Sequence, residues 1–234
     1  MGRFLNADEL QYLQPDSING CNLYTYCLNN PVMEVDPMGT FVIGFLSRFV
    51  YNFIVKPIVM AVATVAEGIS AAINGEFDVF VDEMKALDFN NTNPDAVLKS
   101  KYVSAYKGAF VVRHGIPKLT SWSFGGTLFL NNGASDSLQK ANVTTLNHEW
   151  GHYLQEKSLG TLVYTLFFAL PSVAVAGYNT MTKGSLSGIY YSLPWEYTAD
   201  QFGGGVPSTR VYEPWAKSFG EGYYKFMLAI SWLF

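Results

Sequence analysis

His148 and His152 stand four residues apart with Glu149 directly after the first, and that spacing works as one unit only on a helix. Residues i and i+4 share a helix face, so both imidazoles can reach one ion. Glu149 then sits one position past the first ligand, where it can take a proton from water beside that ion. The chain holds three histidines, and two of them are in this pattern. Val143, Leu146, Trp150 and Leu154 supply apolar faces around them, as a buried helix requires. Gly151 costs about 1 kcal/mol relative to alanine in a helix interior, which points to a need for close approach there. The spacing predicts a helix from about Ser135-Asp136 to Ser158, ended by Gly160, carrying a zinc site. An ordinary amphipathic helix with two histidines is the competing reading.

A zinc ion that does chemistry takes three protein ligands and keeps one position open. The best third ligand is Glu196, in Trp195-Glu196-Tyr197-Thr198-Ala199-Asp200. Pro194 suits the start of a helix, and on that helix Glu196 and Asp200 share a face. One carboxylate can then bind the ion while Asp200 accepts a hydrogen bond from a ligand histidine and sets its tautomer. A structural site would be closed by four protein ligands, and no cysteine or fourth histidine stands nearby to close it. His114, after the apolar run Phe110-Val111-Val112, reads as a loop residue. Polarising a substrate carbonyl and simple solvent exposure both suit it.

Hydrophobic residues make up 49% of the 234 residues and charged ones only 15%, against about 25% in ordinary soluble domains. A packed core is available, and the charge deficit suits contact with a membrane or a larger partner. Fifteen basic residues against nineteen acidic ones, with no basic run, argue against nucleic acid as a partner. Cys21 and Cys27 make no metal-ligand spacing and no disulfide scaffold. The N-terminus has no apolar signal-peptide core, and Asn6 stands where a myristoylation signal needs Ser or Thr.

Along the chain, residues 41–73 are strongly apolar, with Arg48, Lys56, Glu67 and Pro57 interrupting. They read as a buried or interfacial helical hairpin. Residues 74–100 look like polar helix and loop, broken at Asn90-Asn91-Thr92-Asn93-Pro94. Ala109–Val112 and Thr127–Leu130 are short strand patterns, the second ended by Asn131-Asn132-Gly133. The Gly125-Gly126-Thr127-Leu128 run suits either a tight hairpin or an edge strand that binds substrate by backbone pairing. Leu159–Tyr178 carries no charge and is about long enough to span a bilayer, though Pro171-Ser172 invites a break. A kinked hairpin at a membrane and a buried core hairpin both fit.

Two resemblances extend these readings. Gly2-Arg3-Phe4-Leu5, Asn22-Leu23-Tyr24-Thr25-Tyr26, Asn29-Asn30-Pro31 and Asp36-Pro37-Met38-Gly39 occur in order, and together they closely resemble the end of an RHS-repeat core. That resemblance covers residues 2–39. It implies a division into an RHS-type segment, 1–40, and a toxin or effector domain, 41–234. The partners it implies are an RHS shell and a cognate immunity protein, and the expected location is secreted or at the cell surface. Residues 1–40 then read as the tail of a larger RHS protein or an orphan cassette.

The second resemblance lies in Asn147-His148-Glu149-Trp150-Gly151-His152 and Glu196-Tyr197-Thr198-Ala199-Asp200-Gln201-Phe202-Gly203-Gly204. This layout is similar to gluzincins, and most to the CAAX prenyl protease and HtpX membrane metallopeptidases. It implies zinc ligation by His148, His152 and Glu196, base chemistry by Glu149 and support from Asp200. The expected fold is α+β and zincin-like: helix-rich, with a small antiparallel or mixed sheet on the metal helix and apolar helical segments around it. The expected activity is zinc-dependent hydrolysis of a protein or peptide substrate, with membrane association. The alternative is a membrane-active, non-enzymatic effector whose metal site is structural.

Overall fold

The computed structural model describes residues 49–116, 120–133, 141–182, 184, 186, 188–204, 207 and 210–231. The chain divides into two units, Met1–Phe41 and Val42–Phe234, and every described residue belongs to the second. The RHS-like blocks and both cysteines lie outside the described residues, as does the expected helix start at Ser135-Asp136.

Helices α1 (Lys56–Ile73), α2 (Phe77–Lys85) and α3 (Pro94–Lys99) come first. Strands β1 (Val103–Tyr106), β2 (Ala109–His114), β3 (Trp122–Phe124) and β4 (Thr127–Asn131) follow. Then come α4 (Val143–Leu159), α5 (Thr161–Tyr164), α6 (Leu170–Met181), α7 (Pro194–Gly203) and α8 (Ala216–Ser231). The class is α+β, helix-rich with a small mixed sheet. The strand order is β1-β2-β4-β3: two antiparallel hairpins joined by parallel pairing of β2 with β4. Both hairpins turn in two residues, Lys107-Gly108 and Gly125-Gly126, all four at positive φ. That geometry matches the right-handed twist of the strands. The glycine run is therefore hairpin chemistry, β4 is an interior strand, and β3 is the edge strand of that hairpin, with β1 at the sheet's other edge.

β2 is buried along its whole length, and its alternation builds two cores. Ala109 and Val111 pack with Leu128, Leu130, Leu146 and Tyr153, beneath α4. Phe110 and Val112 pack with Ala63, Ala71, Phe80 and Tyr102, beneath α1 and α2. The sheet is thus covered by helices on both faces. Truncating Leu146 or Phe110 to alanine would cost about 2–5 kcal/mol. A third cluster joins Leu159, Val163, Tyr164 and Phe168 to Met227 of α8.

Two expectations change. Residues 49–73 form no hairpin but one continuous helical run, in which a π-turn, Tyr51–Val55, feeds α1. Residues 161–181 repeat the device, with a π-turn, Thr165–Ala169, feeding α6. Each π-turn ends just before a proline, Pro57 or Pro171. Lys56 N–H reaches back five residues to the Tyr51 carbonyl, and Leu170 N–H to that of Thr165. A proline ring clashes with the carbonyl four residues back, and the widened turn makes room for it. The break expected at Pro171-Ser172 is absorbed in this way.

The helix that carries the two-histidine motif also starts later than the spacing predicted. Asn142 has an extended backbone and its side chain accepts the Thr145 N–H at 3.0 Å. It is an N-cap, so α4 opens at Val143. Gly160, at φ +78, closes it.

Candidate metal centre

α4 and α7 cross with almost no side chain between them. A Cβ on Gly151 would fall 1.9 Å from the Ala199 carbonyl oxygen, and one on Gly203 would fall 2.2 Å from that of Asn147. The glycine in the histidine motif thus admits the backbone of the helix that carries Glu196 and Asp200. Pro194 is the first residue of that helix, as its missing N–H allows.

The crossing brings His148, His152 and Glu196 together, with one potential ligand atom from each within 4.8 Å of the others. All three are buried. His148 Nε2 lies 3.1 Å and His152 Nε2 3.5 Å from the same oxygen, Glu196 Oε2. A tetrahedral zinc ion with bonds of about 2.0–2.1 Å separates its ligands by roughly 3.3 Å, so these spacings fit one ion. The far nitrogens are already held: His148 Nδ1 is 2.8 Å from Asp200 Oδ1, and His152 Nδ1 is 2.8 Å from Gln155 Oε1. Such partners fix ring orientation and tautomer and leave Nε2 for a metal. A buried three-donor group of this composition can hold a metal ion.

A further set of contacts holds this group. Gln155 donates to the Trp195 carbonyl at 2.8 Å and to Thr198 Oγ1 at 2.7 Å, tying α4 to α7. Ser172 Oγ donates to Glu196 Oε1 at 2.5 Å and lies 3.2 Å from the Tyr190 hydroxyl. Asp200 accepts from Tyr212 at 2.6 Å and forms an ion pair with Arg210, whose guanidinium lies over the Tyr191 ring.

The charges follow from this packing. Burial opposes a proton on His148, but Asp200 and Glu196 overcome it and push the group up to about 10 in the metal-free protein. Burial likewise opposes the charge on Glu196, yet the two histidines hold its carboxyl well below the usual range. Asp200 is lowered against burial by His148, Tyr212 and Arg210. Glu149 goes the other way: burial raises it, against the pull of His148 and His152. A carboxylate shifted upward is better matched to taking a proton near neutral pH.

A cavity of about 360 Å³ opens at the site, lined in part by Trp122, Ser123 and Phe124 of β3. His148, Glu149, His152 and Glu196 also line it, as do Tyr164, Leu170, Val173 and Tyr190. Glu149 therefore faces the cavity beside the three ligands. His114 does not line it. That residue ends β2 rather than a loop, is 3% exposed, and packs against Trp122, whose ring centroid is 4.8 Å away. Tyr190 does line the cavity, and burial keeps its hydroxyl, which lies beside Ser172, protonated.

Arg210, Tyr212, Ser172 and Tyr190 had no readable spacing relative to the motif. Gln155 did, since it lies three residues past His152 on one helix face. Comparison of the chain with family models, with curated proteins and with solved structures finds no match.

Proposed function

We propose that this chain is a zinc-dependent peptidase with a zincin-like arrangement. The observation that carries the reading is the convergence of His148 Nε2, His152 Nε2 and Glu196 Oε2 beneath an open cavity that Glu149 also lines. Bound zinc would polarise a carbonyl and ease loss of a proton from water. Glu149 accepts that proton and returns it to the leaving amine. Tyr190 is the hydrogen-bond donor on the cavity wall for charge developing on the carbonyl oxygen. Edge strand β3 offers the Ser123 N–H to an extended peptide, since Ser123 faces Leu128 across the hairpin in a pair whose polar groups point outward, and the Ser123 carbonyl already accepts from the Tyr164 hydroxyl at 3.4 Å.

The wider setting we propose is a toxin or effector following an RHS-type core, with an immunity protein as its inhibitor. Its support is the ordered set of four RHS-like blocks in residues 2–39. A second reading, a membrane-active effector with a structural metal site, draws on two stretches long and apolar enough to cross a membrane, Tyr51–Ile73 and Thr161–Asn179.

The test is metal content and cleavage of a complex peptide mixture, with new amino termini identified by mass spectrometry. The peptidase reading expects about one zinc per chain in wild type and in Glu149→Gln, with new termini from wild type alone. Zinc-loaded wild type that cuts nothing, yet permeabilises vesicles as well as Glu149→Gln does, favours the second reading.

A further inference from the structure

Glu156 lies on the same face of α4 as His148 and His152, one turn beyond them, and its side chain is fully buried. It touches none of the metal-binding atoms. Instead its two carboxylate oxygens accept the successive backbone N–H groups of the β3–β4 turn, Gly125 at 3.1 Å and Gly126 at 3.3 Å. Two adjacent amides at positive φ form a small concavity for an anion, and here the anion is supplied by the metal helix itself.

The turn is gripped from its other side by α1. A Cβ on Gly125 would fall 2.5 Å from Val59 Cγ2, and one on Gly126 would fall 2.8 Å from the stem of Lys56. The Lys56 ammonium contributes a favourable charge to Glu156. Burial pushes the carboxyl up to about 7, against the pull of the two amides and of Lys56. An ionisable group in so dry a place is costly, and an apolar residue would fill the space without that cost. What the carboxylate does and an apolar residue cannot do is bind the turn amides.

We propose that Glu156 is a positioning residue: by clamping the Gly125-Gly126 turn it sets the height of edge strand β3 above the metal centre. Trp122, Ser123 and Phe124, which the turn ends, line the same cavity as His148, His152 and Glu196. The inference rests on the reading of the cavity as a peptide site over zinc. Glu156→Gln keeps the shape but offers one acceptor and turns an NH₂ group towards an N–H, so the clamp is broken on one side.

The test uses the full chain, zinc-loaded, at pH 8, with two probes that need no turnover. Acetohydroxamate reports the metal alone. Prolyl-leucyl-glycine hydroxamate reports the metal together with the strand that would hold a peptide. Glu156→Gln is expected to weaken the peptide probe at least tenfold while acetohydroxamate affinity and zinc content stay within twofold. Hydrogen exchange at Gly125 and Gly126 should rise in the same variant. Equal loss of both probes would make Glu156 a general structural residue and overturn the inference, as would no change in either. Wild type that binds both probes equally would show that β3 holds no peptide, while leaving the zinc site standing. Wild type that binds neither would remove the metal-site reading itself and this inference with it. Should Glu156→Gln not fold, Gly126→Ala displaces the same turn from the α1 side, and the same split between probes is required of it.

Discussion

Helices α4 and α1 cover opposite faces of one sheet and are nearly equal in length, 17 and 18 residues, yet they are built inside out relative to each other. α4 buries His148, Glu149, His152, Gln155 and Glu156. α1 buries only Ala63 and Ala71, and it exposes Ile58, Val62, Val65, Ile69 and Ile73, the last at 80%. Buried polar groups persist only where they are bonded. His148, His152, Gln155 and Glu156 all have named hydrogen-bond partners, and Glu149 lines the cavity. Exposed apolar area on the scale of α1 is rare in a soluble monomer and calls for a cover. One face of the sheet thus carries a helix with buried polar groups, and the other a helix with an exposed apolar stripe.

The contrast breaks most severely at the metal ligands. His148→Ala or His152→Ala leaves two protein donors, and each variant should lose stoichiometric zinc after dialysis. Hydrolysis should fall by at least about 10³-fold, the scale of losing a core catalytic component. Zinc retained at one per chain in either variant would refute the ligand set. Glu149→Gln should lose comparable activity with its zinc in place, because an amide keeps the shape but accepts no proton.

Next comes the crossing that assembles the site. Gly151→Ala places a methyl group against backbone, where no rotamer change relieves it, so α4 and α7 must separate. We expect destabilisation of about 3 kcal/mol or more, read as a shift in urea midpoint. By contrast Gly177→Ala, in α6, has open space around it and should gain up to about 1 kcal/mol through helix propensity. If the two changes are equivalent, the close crossing is not what holds Glu196 and Asp200 in place.

This crossing also shows how far the sequence could be read. HExxH spacing and the Glu196–Asp200 pair each imply a helix face, so the buried His148, His152 and Glu196 group that could hold a metal ion was legible from periodicity. That Gly151 and Gly203 let those two helices touch was not, because backbone-to-backbone contact has no sequence period. β1 and β3 were missed because four and three residues are too few to show alternation, although Gly125-Gly126 was a readable turn. The two π-turns were missed for a similar reason: proline signals an interruption, and only the structure shows that a wider turn absorbs it. Residues 1–40, the basis of the RHS resemblance, lie outside the described residues, so that expectation rests on sequence alone.

A smaller effect comes from pH. In the metal-free protein the folded His148 group is raised to about 10, against roughly 6.5 unfolded. The folded state therefore holds a proton that the unfolded state releases between those values. The stability this confers is fully present below about 6.5 and is lost as pH rises through about 10, at up to about 1.4 kcal/mol per unit. Zinc must displace the same proton, so its affinity should climb by up to tenfold per unit over that range. Calorimetry at pH 8 in buffers of different ionisation enthalpy would measure the release. A stability profile that stays flat from pH 6.5 to 9 without metal would contradict it.

The smallest expected effect on the folded state, and the sharpest test of the contrast, is Val62→Lys. Val62 lies on the outer face of α1 at 64% exposure, so the lysine meets no packed neighbour. Its cost to folding in water should stay within about 0.5 kcal/mol. Where lipid covers that face, the same lysine meets a different medium. A charge placed in a hydrocarbon layer costs about 2.5–3.5 kcal/mol on insertion scales, and even a snorkelling lysine disturbs the outer stripe. Liposome flotation of the Val62→Lys protein should therefore fall while its urea midpoint, measured without lipid, stays unchanged. His152→Ala should show the converse: zinc lost, flotation kept. If Val62→Lys unfolds the protein in water, α1 is packed against other parts of the chain and the outer face is core. If wild type never floats and stays monodisperse without detergent, the membrane reading falls, and the zinc proposal is untouched because the candidate group and its cavity include no α1 residue.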